Sequence, residues 1–543
     1  MKPHLNDTVV HRDDFDIAAI VLDRRAHEVD HFSDAGPQWI RARRQGGLAC
    51  GHRVMVRRSI YTAMMPLRGV ATLALAFIVA IAGCAATPAG DPLESLSRTD
   101  VVPARQEAAM RLLDADPDNP PYIKALKRMV LQPGYTVAIR REAWDRLVTH
   151  DPESLKESLQ VGLPKLTAYD WRAEICKRIG ELGWKDMTQT LVRAWATPAP
   201  QLSRDLHERP EFRALVALWG ESRVPQVLFD LLMLSDPIKE ANLRARCWEL
   251  LLATGERERI EALLADESLA TTDSFILDMR RASADLHVVP RNREEILWIR
   301  ALRTPQRRAF WDSARAAVAR LKPEVRATIE TRDIAIAAAA LAHAPALLEA
   351  DRDTLYGQVV DRLSPDRVKR YGASFEGYGT QLAETPRAHA SSLTWGDCAA
   401  ILILSEALED PSIRRHLFDM ADRDLADRTT EHGGLLTLDS SGRYEVVEYD
   451  PQTRGSDVRY EASGKMFEDG YDAIAHLHLH AQAYDNSRYA GPHMGDFAYA
   501  DSTGVNGLVL TFIDSGRLNA DYYRHGQVVI DLGTLDRPEE GAR

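Results

Sequence analysis

The chain has 543 residues, 45% of them hydrophobic and 27% charged, with a formal net charge of −12 at neutral pH. That length exceeds what one hydrophobic core serves, so more than one domain is expected. The acidic balance excludes a general nucleic-acid binder, whose affinity rests on a basic face.

Residues 1–54 are rich in Arg, His and Asp and carry no sustained periodicity. They read as a disordered or untranslated extension, with Met55 as the working start. Residues 55–83 then have the order of an export signal. Arg57, Arg58 and Arg68 precede the uncharged run VATLALAFIVAIA at 70–82. This apolar run of thirteen residues is too short to span a bilayer comfortably and suits a signal h-region. A buried core helix is the alternative for this run. It ends in Ile81-Ala82-Gly83-Cys84, which resembles the lipobox of bacterial lipoproteins. The resemblance implies cleavage before Cys84 and lipid on its thiol. It also implies a place in the cell envelope, facing away from the cytoplasm. Several acyl chains anchor stably where one is marginal. Ala85 stands where the resemblance would place an aspartate for inner-membrane retention, which leans towards an outer membrane; the outer leaflet of the plasma membrane is the alternative. Residues 84–100 are then the lipidated cysteine and its tether.

From 101 to 410 the sequence is punctuated as helices. Examples are ARQEAAMRLLDAD, AIRREAWDRLVTH, VPQVLFDLLML and LRARCWELLLATG, with apolar residues three and four apart and charges opposite. Asp116-Pro117, Asp151-Pro152 and Asp236-Pro237 separate such runs. Helices of this length, paired at intervals of roughly 35–45 residues, resemble a HEAT-type α-solenoid. An irregular helical domain is the alternative. The solenoid reading implies a protein or peptide partner on its concave face. The tryptophans of this region read as packing residues. Five cysteines stand at 50, 84, 176, 247 and 398 without a CxxC pair, which argues against a cysteine-built zinc site. Cys176, Cys247 and Cys398 lie in apolar helical runs and are expected to be buried.

The texture changes over 411–537. A helix, SIRRHLFDMADRDLADR, precedes the strand-like EHGGLLTLD, RYEVVEYD, YDAIAHLHLHAQ, GLVLTFI and GQVVIDLG. In a strand His476, His478 and His480 point to one face, and two imidazoles two residues apart can share a divalent ion. Two registers are open, His476 with His478 or His478 with His480; the second lies at the strand end. Asp496 sits near the start of a following helix and can complete the set.

Glu431-His432-Gly433-Gly434, His478-Leu479-His480 and Asp496, in this order and on these elements, resemble the JAMM (MPN/JAB) metallopeptidase family. The resemblance implies Zn²⁺ on His478, His480 and Asp496, with Glu431 as general base for amide hydrolysis. His493 occupies the position of the family's oxyanion-stabilising serine, and Ser487, nearby in sequence but at the wrong spacing, is the alternative for that role. Ala481 replaces a proline, and the loop to Asp496 is longer than in typical members. The expected whole is multidomain: an α-helical solenoid followed by an α/β JAMM-like domain, serving a membrane-tethered zinc hydrolase. The rival is a non-catalytic lipoprotein scaffold built from the same parts.

Overall fold

The computed structural model describes residues 90–197, 205–268, 272–363 and 383–539. Cys84, the apolar run at 70–82 and Met55 lie outside them. Among the described residues no helix is long and apolar enough to cross a membrane.

These residues fall into two compact units, divided between Glu174 and Ile175. The first is helical, with helices at Pro103–Leu113, Pro120–Leu131, Val137–His150 and Pro152–Gly162. Local chemistry sets their starts. The Asn119 and Asp151 side chains cap two of them ahead of a first-turn proline, and Thr136 caps a third. Leu126, Met129, Ile139, Trp144, Leu147 and Leu159 form the buried stripe. The Trp171 indole N–H donates to the Val130 carbonyl at 2.8 Å, satisfying the one polar atom of a buried ring.

The second unit begins with further helices, among them Val224–Leu234, Ala241–Ala253 and Ser274–Leu286. Three more carry the sheet: α1 (Asp333–His343), α2 (Trp395–Ala407) and α3 (Pro411–Ala426). The strands are β1 (Gly433–Leu438), β2 (Tyr444–Tyr449), β3 (Ala475–His480), β4 (Gly507–Asp514), β5 (Arg517–Arg524) and β6 (Val528–Asp536). A further helix, α4 (Met494–Thr503), lies in the crossover from β3 to β4. The sheet order is β2-β1-β3-β4-β5-β6; β3 and β4 run parallel and every other pair is antiparallel. A parallel pair needs a crossover, and here that crossover holds α4. Each helical and β run named from the sequence is an element here. The strand β5 was not among the expected ones. Cys176, Cys247 and Cys398 are buried, as expected.

Alternation gives the sheet two faces. Leu477, Leu479, Leu508, Leu510, Phe512 and Tyr522 belong to one, and Phe418 of α3 packs on Phe512 with ring centroids 6.3 Å apart. The histidines share the other face with Val509, Tyr523 and Val529, which Phe497 and Ala500 of α4 cover.

The first face is tied to the helices by a buried ionic cluster around Asp397. Its carboxylate closes the capping box of α2 with Thr394. It also takes Arg332 Nη1 at 2.8 Å, Arg524 Nη2 at 3.0 Å and the Tyr522 hydroxyl at 2.8 Å. Arg332 reaches Asn506 Oδ1 at 3.0 Å, immediately before β4. Burial alone would raise the Asp397 carboxyl; Arg332 and Arg524 outweigh it and hold it far below the usual carboxylate range.

Removing one partner of such a cluster strands buried charge. Asp397→Ala is therefore expected to cost about 3–5 kcal/mol, read as a lower urea midpoint. A loss below about 1 kcal/mol would mean that the guanidiniums find other acceptors. Because the folded-state pKa is depressed, the wild-type contribution is present above the unfolded-state value of about 3.9 and disappears as pH falls below it. The gap between wild type and variant should close under acid.

Candidate metal centre

The histidine face of β3 leads to the one group of three or more ligating side chains, among the described residues, that can hold a metal ion: Glu431, His478 and His480. All three are buried, and their ligand atoms lie within 4.8 Å of one another. The register explains the convergence. Gly433 pairs with His478 across the antiparallel β1–β3 ladder, so the residues just before β1 come alongside the end of β3.

His480 Nδ1 lies 2.8 Å from the Tyr489 carbonyl oxygen, an acceptor, so Nδ1 carries the proton and Nε2 presents its lone pair. A ring held by its second nitrogen in this way is pre-set as a ligand. His478 Nε2 stands 3.2 Å from His480 Nε2 and 3.3 Å from Asp496 Oδ1. Two imidazole nitrogens facing each other at that distance require a proton or a cation between them. The donor set of two imidazoles and the Glu431 carboxylate matches what divalent transition ions take, and Asp496 stands against His478 outside that group.

Asp496 is the third residue of α4, where the helix dipole favours an anion. Its Oδ2 accepts the His493 backbone N–H at 2.6 Å, which leaves Oδ1 directed at His478. Burial would raise this carboxyl, but His478 and His493 together lower it, keeping it ionised. His493 is the N-cap residue of α4, its ring engaged in the capping box with the Asp496 N–H. The ring meets that of His480 at 5.3 Å, nearly edge to face. Ser487 is elsewhere, its hydroxyl donating to Asp485 at 3.2 Å at the surface. His476 takes a separate course: Nδ1 lies 2.7 Å from the Tyr499 hydroxyl, and burial pushes the ring down to about 4, so it is neutral. Of the two histidine registers, the structure thus brings together His478 and His480.

A second layer holds these groups. Gln482 Nε2 donates to Glu431 Oε1 at 2.8 Å, and Asn486 Nδ2 donates both to Gln482 Oε1 at 2.8 Å and to the His480 carbonyl at 2.9 Å. Asp424, near the end of α3, accepts the His432 N–H at 2.7 Å on one oxygen and the Ala481 N–H at 3.1 Å on the other. One carboxyl thereby sets the spacing between the residues that follow Glu431 and His480. Burial, and then the charge of Glu431, push the Asp424 carboxyl up to about 9. Sequence reasoning missed Gln482, Asn486 and Asp424, none of which belongs to a motif.

No family model, curated protein or solved structure matches the chain.

Residues that orient metal ligands typically change affinity by about 10–100-fold when lost. Asp424→Ala is expected to weaken divalent-metal binding in that range while the protein stays folded, as measured by chelator competition beside circular dichroism. Unchanged affinity would show that the strand ladder alone fixes the donors.

Proposed function

We propose that the protein is a membrane-anchored lipoprotein whose C-terminal domain is a JAMM-like, zinc-dependent hydrolase of peptide or related amide bonds. The observation that carries this reading is the buried Glu431–His478–His480 group with Asp496 against it. The supporting elements follow the family's order: helix, glutamate before a strand, paired-histidine strand, aspartate opening a helix, strand.

On this reading His478, His480 and Asp496 hold the ion. A zinc ion bound there supplies Lewis acidity, polarising the amide carbonyl and acidifying a neighbouring water. Glu431 lies near enough to both histidines to act as ligand or as base. As base it takes the proton of the attacking water and delivers it to the leaving amine, with Gln482 keeping Oε1 in place. His493, in the serine position, is the hydrogen-bond donor on the His480 side. The helices of the middle would form HEAT-like repeats that present a protein or peptide substrate, and the lipid on Cys84 would hold the molecule at the envelope.

The replacement of serine by His493 favours one rival, a scaffold with a JAMM-like domain that does not turn over. Elemental analysis separates the first steps. About one zinc per chain is expected, and the double variant His478→Ala/His480→Ala should hold none. A metal-free wild type, after purification without chelators and zinc add-back, would overturn the hydrolase reading. Glu431→Gln then assigns the glutamate: metal kept with amide hydrolysis abolished marks the base, whereas metal lost marks a ligand. Hydrolysis unchanged would remove Glu431 from the chemistry.

The anchor has its own test. Cys84→Ser should move the protein from the membrane fraction to the soluble fraction of the cell envelope. A variant that stays with the membrane would overturn lipidation at this residue.

A further inference from the structure

The histidine strand is flanked by two glycines, and a tyrosine ring lies across each. Gly433 of β1 pairs with His478, and a Cβ placed on it would stand 2.4 Å from Tyr460 Cε1. Gly507 of β4 pairs with His476, and a Cβ there would stand 2.2 Å from Tyr523 Cζ. Only glycine permits such an approach. Tyr523 itself belongs to β5, opposite Gly507, so its ring passes over β4 towards β3.

A cavity opens beside these rings, lined by Tyr460, Met466, His476, His478, Tyr499 and Tyr523 among others. The proposed ligand His478 is thus part of the cavity wall, and its ring meets that of Tyr523 edge to face at 6.3 Å and 83°. Three phenol hydroxyls belong to this wall, and two are engaged. Tyr460 donates to the Tyr449 carbonyl at 3.2 Å, and Tyr499 lies 2.7 Å from His476 Nδ1. The third, on Tyr523, makes no hydrogen bond among the described residues and has Asp496 and Glu431 as electrostatic neighbours. A phenol with an ordinary pKa of about 10 keeps its proton at neutral pH and can donate it to an acceptor.

We propose that Tyr523 is a catalytic residue of this site, its O–H donating a hydrogen bond to the scissile carbonyl oxygen as that oxygen gains negative charge. This rests on the hydrolase reading above. The proton stays on the phenol throughout, so the role is electrostatic stabilisation from the His478 side, opposite His493 beside His480.

The test uses purified full-length protein loaded with zinc, and acetohydroxamate, whose anionic oxygen ligand mimics the developing charge. Tyr523→Phe should retain the metal stoichiometry of wild type and bind acetohydroxamate about tenfold more weakly by calorimetry, the loss expected for a charge-assisted hydrogen bond. Equal affinity in variant and wild type, both holding metal, overturns the role of Tyr523 and leaves the hydrolase reading intact. Wild type that holds metal without binding acetohydroxamate overturns it too, because an anionic oxygen then has no place beside the phenol. Wild type without metal takes down the hydrolase reading first, and this proposal with it.

Discussion

A buried carboxylate, Asp397, gathers the densest polar tie between the sheet and the helices. Asp397 is fully buried, and two guanidiniums, a phenol and the first turn of α2 converge on it. Such a group is stable only while every partner stays in place, which makes it a constraint on register as much as a source of stability. Tyr522 points from β5 into this cluster, and Tyr523, the next residue, points to the histidine face. A slip of one residue in β5 would exchange them, burying an unanswered guanidinium on one face and emptying the cavity wall on the other. The ion cluster and the candidate metal centre are therefore two sides of one strand alignment.

At the centre itself, buried carboxyl groups crowd together. Asp424, Glu431 and Asp496 are all buried around two imidazoles. Burial first, and the charge of Glu431 second, push the Asp424 carboxyl up. A divalent cation resolves the crowding that protons otherwise resolve, which is the electrostatic argument for a metal at this place. Rigidity comes from the backbone: Asp424 bonds the amides beside Glu431 and His480, and the Asn486 amide bonds the carbonyl of His480 itself.

Much of this was legible in the sequence because it is periodic. The helices carry a three-and-four spacing with Asn, Asp or Thr caps, and the sequence HLHLH alternates as a buried strand does. What alternation cannot show is which histidines converge. It sends all three to one face, and the choice falls to partners farther along the chain: the Tyr489 carbonyl for His480 and the Tyr499 hydroxyl for His476. The strand β5 is hidden for a related reason. Asn519 and Asp521 sit on the histidine-bearing face, fully buried and bonded to each other at 2.6 Å, so the apolar rhythm is broken. Asp424 and Gln482 look like solvated helix and loop residues until the register places them.

The three buried cysteines give this architecture a property that no local motif announces. Burial pushes the thiols of Cys247 and Cys398 up to about 12. Only a thiolate attacks an alkylating reagent, so in the closed protein both are chemically silent. Each therefore works as a clock for opening: the pace at which a reagent consumes it under native conditions counts excursions from the folded state. Cys398 directly follows Asp397, so its clock times breakage where the sheet is moored, while Cys247 times the helices that come before it.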